Sequence, residues 1–394
     1  MSLPRVLVLV LAGGAGSRLE LLTQDRPKPA VPFGASFRLV DFALSSCAHS
    51  GVSDVWVLQQ HTPGPLSEHL ANGRPWDLDR TRGGLMVVHP HEGDHREGFH
   101  TGTADALWKT ATSLREADPE VVVLVSADAV YRLDYLDVAL AHRDSGAAMT
   151  AVTVAHDGDN TRYGVVEVAD GTVTGYAYKP EQPATDLIAT EVFALSPGPV
   201  LDLLDELAQE VDDLGDLGDH LLPRLVADGS LREHRFTGYW QDVGTVEAYW
   251  RTHMELLGPR PPFDLDDPAW PLLTQPGRHA PAKVSARAEV ADSLLGPGSS
   301  VRGTVRRSVL STGVVVEAGA HVVDSVLLPG AVVRAGARVE RAVLDSEVVV
   351  GRDAVIGGPG ADDDEVALVG RGAHVEPGTS VPPGGRLPAP DAGA

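Results

Sequence analysis

The chain has 394 residues and a formal net charge of −23 at pH 7, and 43% of its residues are hydrophobic. This length allows two or three domains, and the excess of acidic residues argues against nucleic acid or an anionic membrane as a partner, because both need a basic surface. The single cysteine, Cys47, excludes an internal disulfide framework and predicts a cytoplasmic protein. No apolar stretch reaches the roughly 18 residues that a membrane helix needs.

An apolar run that ends in a glycine-rich turn opens the chain. Residues 6–11 are all Val or Leu, which predicts a buried first strand of an α/β sheet. The turn that we expect to contact a nucleotide consists of Leu11, Ala12, Gly13, Gly14 and Gly16. Glycines let the backbone approach a ligand closely, and the N–H groups of such a turn form an anion site. Three bare glycines are equally typical of a tight turn without a ligand.

Three cations follow the turn and favour the ligand-binding interpretation. Arg18, Arg26 and Lys28 lie within a short distance along a chain that is otherwise acidic, so they predict a site for a triphosphate or pyrophosphate. The turn is neither a Rossmann fingerprint, because Leu19 takes the third glycine position, nor a Walker loop, because no Gly-Lys-Ser/Thr closes it.

These motifs resemble those of the sugar-1-phosphate nucleotidyltransferases, in which a glycine-rich loop ending in Arg precedes a Pro-Lys-Pro turn. Residues 26–34 (RPKPAVPFG) and 37–45 (FRLVDFALS) are similar, more narrowly, to bacterial glucose-1-phosphate adenylyltransferases. The resemblance extends, with gaps, from about residue 5 to about residue 357. It implies a Rossmann-like, mostly parallel nucleotidyltransferase sheet followed by a left-handed parallel β-helix. It also implies catalytic roles for Arg18, Lys28 and Asp128, and Mg²⁺ as the cofactor.

The next segments are predicted to complete the nucleotide site. Residues 37–50 fit a helix and residues 55–58 a strand, after which Gln60 keeps one position of the family's Thr-Gln-Tyr. The Gly102-Thr103-Ala104-Asp105-Ala106 segment begins a helix through about Leu114, and the resemblance implies that Gly102, Thr103 and Asp105 contact the nucleoside. Without a ligand, the same five residues are simply a helix start.

Four histidines between these segments, His89, His91, His95 and His100, raise a metal hypothesis. Residues 91–95 match the letters of H-E-x-x-H, which requires a helix, but Pro90, Gly93 and Gly98 make a helix there improbable. We therefore predict a loop at the mouth of the nucleotide site.

A predicted metal site lies beyond a central strand. The β-branched run at residues 121–125 predicts a buried parallel strand, and Asp128 follows its carboxyl end, where ligands bind in open α/β sheets. A lone Asp there is more often a helix cap. The resemblance makes Asp128 a magnesium ligand together with Asp242, from the segment at residues 238–245 (GYWQDVGT).

The sugar side departs from the family. Residues 163–166 and 173–177 predict a hairpin that ends at Lys179, the family's sugar-phosphate lysine, but Tyr178 replaces the usual Glu before it. At residues 189–193 (ATEVF) the family usually has a Ser-Met-Gly segment packed against the sugar. The resemblance thus gives Gly164, Lys179, Thr190 and Glu191 as sugar-phosphate contacts, and we hypothesise that Glu191 supplies the missing carboxylate.

The composition divides the chain into a catalytic domain at residues 1–257, a Pro/Asp-rich linker at 258–282 and a repeat domain at 283–394 with a poorly ordered tail of about fifteen residues. In the repeat domain, Ser308, Ser325 and Ala342 mark a spacing of 17 residues, with apolar positions six apart at Val316/Val322, Val333/Val339 and Val349/Val355. This predicts a parallel β-helix of three or four coils, interrupted at about residues 358–365, whose ends favour a homo-oligomer, either a dimer or a tetramer.

The expected reaction is nucleotidyl transfer from ATP to glucose 1-phosphate, giving ADP-glucose and pyrophosphate for glycogen or α-glucan synthesis. A different sugar or base is an open alternative because of Tyr178 and Glu191. A non-catalytic regulatory homologue is another, and acyl transfer by the β-helix is a third. Asp25 stands where the family's activator site often has a Lys, so allosteric regulation is also open.

Overall fold

The computed structural model describes residues 3–14, 16–60, 62–90, 98–360 and 365–388. Its α-helices are α1 Val40–His49, α2 Pro63–Leu70, α3 Thr103–Lys109, α4 Ala111–Ala117, α5 Tyr135–Ser145, α6 Pro197–Glu210, α7 Leu221–Ala227 and α8 Val246–Glu255. Short 3₁₀ segments span Ser17–Thr23, Lys28–Ala30 and Arg74–Trp76. Among the described residues, no helix has both the length and the apolar character needed to cross a membrane.

The catalytic domain is built on a nine-stranded sheet. The strands of the domain are β1 Val6–Leu11, β2 Pro32–Phe33, β3 Phe37–Arg38, β4 Asp54–Leu58, β5 Gly84–Val88, β6 Val121–Ser126, β7 Ala129–Tyr131, β8 Met149–Ala155, β9 Gly164–Ala169, β10 Thr172–Tyr178, β11 Leu187–Leu195, β12 Leu231–Arg235 and β13 Trp240–Asp242. The sheet order is β5-β4-β1-β6-β11-β8-β12-β10-β9, and β10 and β11 run opposite to the rest. The sheet is therefore mostly parallel, as the resemblance implies.

The aliphatic run of β1 is buried on both faces because the sheet has a core on each side. Val8 and Val10 join one core, whereas Leu7 and Leu9 join the other. β1 and β6 pair in parallel, with Leu11 opposite Ser126. The glycine turn and Asp128 consequently leave the sheet at the same edge.

Two predicted helices have different bounds in the structure. The first begins at Val40 because Phe37 and Arg38 form a short strand against β2, and the Asp41 carboxylate accepts the Arg38 N–H at 2.8 Å. The helix predicted from Gly102 to Leu114 is α3 followed by α4, which meet at Thr110.

The repeat domain is a left-handed parallel β-helix. Its strands are β14 Lys283–Val284, β15 Glu289–Ala291, β16 Leu294–Leu295, β17 Ser300–Val301, β18 Thr304–Arg306, β19 Val309–Leu310, β20 Val315–Val316, β21 His321–Val323, β22 Val326–Leu327, β23 Val332–Val333, β24 Arg338–Glu340, β25 Ala342–Leu344, β26 Val349–Val350, β27 Val355–Gly357, β28 Ala367–Val369, β29 His374–Val375, β30 Ser380–Val381 and β31 Arg386–Leu387. They form three six-stranded parallel sheets, and each coil contributes one strand to each sheet.

The stack is longer than the sequence predicted. It has six coils instead of three or four, since β27 pairs with β30 across the acidic stretch, which is an insertion between coils and not the end of the stack. The predicted disordered tail is also too long, because β30 and β31 belong to the last coil. Residues 361–364 and 389–394 lie outside the described residues.

Two of the three predicted inward-facing pairs are buried. Val316, Val322, Val333 and Val339 are at most 1% exposed. In the next coil the inward residues are Val350 and Ile356, whereas Val355 is 40% exposed. The spacing of 17 pairs Val333 with Val350 and Val339 with Ile356, so the prediction of Val349 and Val355 was wrong by one position.

One face of the β-helix packs against the catalytic domain. Val309, Val326 and Val343, which stack on the third sheet, share a buried core with Leu19 and Leu22 of the segment after the glycine turn. The linker crosses the catalytic domain and contacts it at several points. Asp267 pairs with Arg132 at 2.9 Å, and the carbonyl of Leu273 accepts from the Trp76 indole at 3.1 Å.

Candidate active site

A cleft of about 440 Å³ lies beyond the carboxyl ends of β1 and β6. Residues from the glycine turn, the two predicted metal ligands and the predicted sugar side line it together: Leu11, Gly14, Gly16, Arg18, Lys28, Asp128, Lys179, Thr190, Glu191 and Asp242. A neighbouring pocket of about 320 Å³ is lined by Gly13, Gln60, Gly102 and others, and it shares Leu11, Gly14, Thr103 and Asp216 with the cleft. The site is therefore one continuous groove with two compartments.

The glycine turn is held from both sides. Gly16 has φ 65°, a left-handed conformation, and a Cβ there would lie 3.0 Å from the Cβ of Lys28, so glycine is the residue that fits. The Thr23 hydroxyl donates to the Gly16 carbonyl at 3.0 Å. Gln60 donates to the Gly13 carbonyl at 3.3 Å and accepts the His100 N–H at 2.7 Å, which makes it a brace between the turn and the smaller pocket.

Lys28 lies between the two predicted metal ligands. Its Nζ is 2.8 Å from Asp128 Oδ2 and 3.0 Å from Asp242 Oδ1. The antiparallel pairing of β7 with β13 sets Asp242 opposite Ala129, the residue after Asp128. This short pairing explains how two carboxylates that are far apart in the sequence meet at one point.

The electrostatics of this triad follow from burial and charge. Burial opposes the ammonium of Lys28, but the two carboxylates outweigh it and raise the pKa of Lys28 above its ordinary value. Burial also opposes ionisation of Asp128, yet Lys28 and the Ser126 hydroxyl lower the pKa of Asp128. Burial raises the pKa of Asp242 despite Lys28, and the Asp128 carboxylate adds to the shift. One ammonium thus faces two carboxylates, so it cannot neutralise both when both are ionised.

This donor set fits magnesium. Mg²⁺ is usually bound by one or two carboxylates plus water and substrate phosphates, and Asp128 and Asp242 present two carboxylates to an open cleft. Arg18 lines the same cleft and acts electrostatically on both carboxylates. In the part of the chain that the structure describes, no group of three or more His, Cys, Asp or Glu side chains could hold a metal ion.

Lys179 is held on the sugar side by residues around it. Its Nζ donates to the Tyr178 hydroxyl at 2.5 Å, lies 4.1 Å from the centre of that ring, and is 3.9 Å from Asp216 Oδ2. Tyr178 in turn donates to Asp216 Oδ2 at 2.5 Å. Tyr178, which replaces the family's Glu, therefore brings Asp216 to the position next to Lys179.

Glu191 also faces the cleft, and its backbone is unusual. It has φ 60° within a break in the pairing of β11 with β8, between Ala189 and Phe193. A positive φ of this size suits glycine, so Glu191 occupies a backbone conformation that is unusual for a glutamate. Burial, together with the carboxylates of Asp128 and Asp216, raises the pKa of Glu191 to about 7.

Three predicted contacts do not line either pocket. Ala12 is fully buried and donates its N–H to Leu58, whereas Gly164 lies behind the ring of Tyr176. Asp105 lies under the turn at Gly102, where it accepts the Thr101 N–H at 2.9 Å and pairs with Lys109 at 2.9 Å. The structure places these residues in support of the groove and not on its surface.

Arg26 does not line the cleft with Arg18 and Lys28, so its predicted place in one cation cluster with them was wrong. Its guanidinium is buried, pairs with Asp345 of the β-helix and lies 3.4 Å from the Ser346 hydroxyl. The short sequence distance to Lys28 suggested a shared role, but Arg26 pairs with Asp345 of the β-helix whereas Lys28 pairs with Asp128 and Asp242 in the cleft.

Several groove residues were missed by sequence reasoning, among them Arg162, Tyr163, Tyr176 and Asp216. Asp216 belongs to a segment that the resemblance covers, and this was an available signal. Tyr163 and Tyr176 lie in the predicted hairpin and Arg162 directly precedes it, but none of the three matches a motif that we identified. The metal hypothesis for His91 and His95 falls outside the described residues.

Comparison with known proteins assigns both parts of the chain. A family described as nucleotidyl transferase matches residues 7–258, and one described as GlmU-like, C-terminal hexapeptide, matches residues 275–375. A glucose-1-phosphate adenylyltransferase of Thermomicrobium roseum is 40% identical over 95% of this chain and 91% of the relative. Those of Fervidobacterium nodosum and Bacillus cereus are each 34% identical, covering 89% and 93% of this chain and 85% and 98% of the relatives.

Proposed function

The chain belongs to the glucose-1-phosphate adenylyltransferase family of nucleotidyl transferases, and we propose that it joins ATP and glucose 1-phosphate to give ADP-glucose and pyrophosphate with Mg²⁺. The observation that carries the proposal is the meeting of Asp128, Asp242 and Lys28 beside the glycine turn. A pair of carboxylates next to a phosphate-binding turn is the arrangement that this transfer needs.

The proposed division of the groove follows its chemistry. The smaller pocket, with Gln60, Gly102 and Thr103, takes the nucleoside, and the glycine turn places N–H groups against the phosphates. Lys179, Thr190 and Glu191 take the sugar phosphate at the other end of the cleft. The α-phosphate then lies between the two compartments, next to Lys28.

In the proposed reaction, an oxygen of the sugar phosphate attacks the α-phosphorus of ATP in line. The new P–O bond forms as the bond to the β-phosphate oxygen breaks, and pyrophosphate leaves without a covalent enzyme intermediate. Arg18 and Lys28 stabilise negative charge on the α-phosphate and on the leaving group, and Lys179 orients the attacking phosphate. Bound magnesium supplies charge neutralisation, and Asp128 and Asp242 would hold it.

The most informative assay measures pyrophosphate release from every pairing of ATP, GTP, UTP and CTP with glucose, galactose and mannose 1-phosphates. We expect the fastest release with ATP and glucose 1-phosphate. Release with a different pair alone would identify another base or sugar, an alternative that Tyr178 and Glu191 keep open. The absence of release with every pair would favour the non-catalytic homologue.

We further propose a homo-oligomer formed through the β-helix, in a cytoplasmic enzyme that supplies ADP-glucose for glycogen or α-glucan synthesis. Val315, Val332 and Val349 stack in register on one outer face and are partly exposed, which gives this face an apolar row. Light scattering should give the mass of a dimer or tetramer for the wild type and a smaller mass for Val332→Asp. A wild-type monomer would contradict this proposal.

A further inference from the structure

A chain of four polar groups connects the two compartments of the groove, and we call it the Asp216 bridge. Lys179 Nζ donates to the Tyr178 hydroxyl, which donates to Asp216 Oδ2, both at 2.5 Å. The other oxygen, Asp216 Oδ1, accepts the Thr103 N–H at 3.1 Å and lies 3.3 Å from the Thr103 hydroxyl. Each oxygen of one carboxylate thus serves a different compartment.

We propose that Asp216 and Tyr178 are positioning residues that couple nucleotide binding at Thr103 to sugar-phosphate binding at Lys179. This inference rests on the proposed function, because it takes the two compartments as the nucleoside and sugar-phosphate sites. It adds two residues to that reaction, and one of them, Tyr178, stands where the family has Glu.

The bridge is built on a rigid support. The Gly215 carbonyl accepts the N–H groups of Ala104 and Asp105, and the Leu217 N–H donates to the Thr103 hydroxyl at 2.9 Å. Gly218 lies against the Tyr178 ring so closely that a Cβ there would be 2.6 Å from its atoms. The start of α3, the loop at residues 215–218 and the Tyr178 ring are therefore held to one another.

The direction of each hydrogen bond explains how the coupling works. The Tyr178 hydroxyl has one proton, which it donates in the hydrogen bond to Asp216. An oxygen lone pair of the hydroxyl therefore remains to accept the hydrogen bond from Lys179. Burial and the bond to Asp216 keep that proton in place by raising the pKa of Tyr178. A ligand that holds Thr103 in place also holds Asp216 in place. Through Tyr178 it thereby positions the ammonium of Lys179, which binds the sugar phosphate.

Coupling of this kind is reciprocal, so each substrate should tighten the binding of the other by the same factor. Hydrogen bonds in a connected chain also polarise one another, which makes the chain more sensitive to the loss of a single member than an isolated bond would be. The test therefore measures mutual dependence and not affinity alone.

The decisive variant is Tyr178→Phe, which removes one hydroxyl and keeps both the ring under Lys179 and the charge of the groove. The matched control is Tyr239→Phe, which loses a similar bond, at 2.9 Å to Glu255, outside both pockets. Calorimetry would measure the Kd of glucose 1-phosphate with and without a non-hydrolysable ATP analogue and magnesium. Steady-state KM values for each substrate, at low and saturating levels of the other, give a second readout.

For the wild type and Tyr239→Phe, we expect the ATP analogue to tighten glucose 1-phosphate binding by about 5-fold or more. In Tyr178→Phe this factor should fall by at least about 2-fold, the lower end of the range for one hydrogen bond. Asp216→Asn, which should weaken the same chain without loss of bulk, should reduce the factor without abolishing the binding of either ligand.

Three outcomes distinguish the failure of this inference from the failure of the proposed function. If wild-type protein binds both ligands and Tyr178→Phe keeps the wild-type coupling factor, the bridge is overturned and the proposed function stands. A Tyr178→Phe variant with weaker sugar-phosphate binding but unchanged coupling would also overturn it, since Tyr178 would then act only locally. If the wild type binds no glucose 1-phosphate, the proposed function fails and the bridge fails with it.

Discussion

At the scale of single residues, the groove depends on how carboxylates are neutralised. Asp128 and Asp242 share the ammonium of Lys28, and Asp216 has Tyr178 and Thr103 as donors. For Glu191, burial and the carboxylates of Asp128, Asp216 and Asp242 oppose the ionised form, while Lys179 favours it. The charge state of Glu191 should therefore respond to pH near neutrality.

The raised pKa of Glu191 predicts a specific pH dependence of stability. Its pKa is about 7 in the folded protein against 4.5 ordinarily, so between these values the folded protein holds a proton that the unfolded chain has released. This carboxyl therefore costs stability as the pH rises through that window. Glu191→Gln should melt above the wild type by a margin that grows from about pH 5 to about pH 8.

Differential scanning fluorimetry of the ligand-free proteins measures this margin directly, because the other titrating groups are common to both and cancel. A constant margin across the range would show that Glu191 does not titrate there. Glu191→Ala tests the proposed sugar contact, because it removes the hydrogen-bonding group altogether: unchanged sugar-phosphate affinity in that variant would refute the role.

Most of these residues could be identified from the sequence, but the residues that they contact could not. Arg18, Lys28, Asp128, Lys179 and Asp242 could be named because motifs mark them, and all five line one cleft. The positive φ of Glu191 and the partnership of Tyr178 with Asp216 depend on a strand break and on a distant loop, and neither leaves a local pattern. Arg26 was misjudged because proximity in sequence was taken for proximity in space.

At the scale of elements, the start of α3 and the loop at residues 213–219 form one unit. The Gly102 backbone is extended, so its glycine is not needed for conformation, but a Cβ would overlap the carbonyl carbon of Gly215. The need for glycine here is steric, and it comes from an element that lies more than a hundred residues further along the chain.

Gly102→Ala should therefore displace the start of α3 from that loop. We expect kcat/KM for the nucleotide to fall about 10- to 100-fold, because small misplacements of binding groups are costly. Gly198→Ala in α6 is the control, since a Cβ there meets open space. Steady-state kinetics with varied nucleotide decide the matter, and equal effects of the two substitutions would contradict the steric argument.

Element predictions succeeded where a period is long and uninterrupted. The spacing of 17 identified the β-helix, but the first coil and the coils after the insertion at about residues 358–365 break that spacing, so they were not counted. Helix α1 was extended too far because residues 37–39 have a suitable apolar pattern, yet Asp41 fixes the backbone of Arg38 ahead of the helix.

At the scale of the whole molecule, the β-helix supports the segment that follows the glycine turn. Leu19, Leu21 and Leu22 pack into the core that the two domains share, Glu20 pairs with Arg386, and Arg26 pairs with Asp345. The segment that follows Arg18 is thus fixed by the repeat domain at residues 19–22 and at Arg26. Its sequence could not predict this, because contacts between domains depend on how the two folds are placed together.

The Arg26–Asp345 pair is buried, and this predicts a large loss of stability when only one partner is removed. Arg26→Met leaves the Asp345 carboxylate buried without its cation and should cost about 3–5 kcal/mol. The double variant Arg26→Met/Asp345→Asn should recover much of this, because no charge is then buried. Arg5→Met, which breaks an exposed pair with Asp118, is the control and should change the stability far less, because water screens that pair.

Denaturation by urea measures the free energies of unfolding of all four proteins. If Arg26→Met costs no more than Arg5→Met, the buried pair does not hold the domains together. A double variant that is as unstable as Arg26→Met would show that the loss comes from packing and not from the unpaired charge.

The account as a whole depends on Asp128 and Asp242 acting at a single metal-dependent centre. The most direct measurement is the rate of pyrophosphate release from ATP and glucose 1-phosphate by the wild type, Asp128→Asn and Asp242→Asn across a magnesium titration, with Asp118→Asn as an exposed control. We predict that release requires magnesium and falls by about 100-fold or more in both variants, while the control keeps the wild-type rate. A wild-type rate in either Asp128→Asn or Asp242→Asn at saturating magnesium would contradict the account.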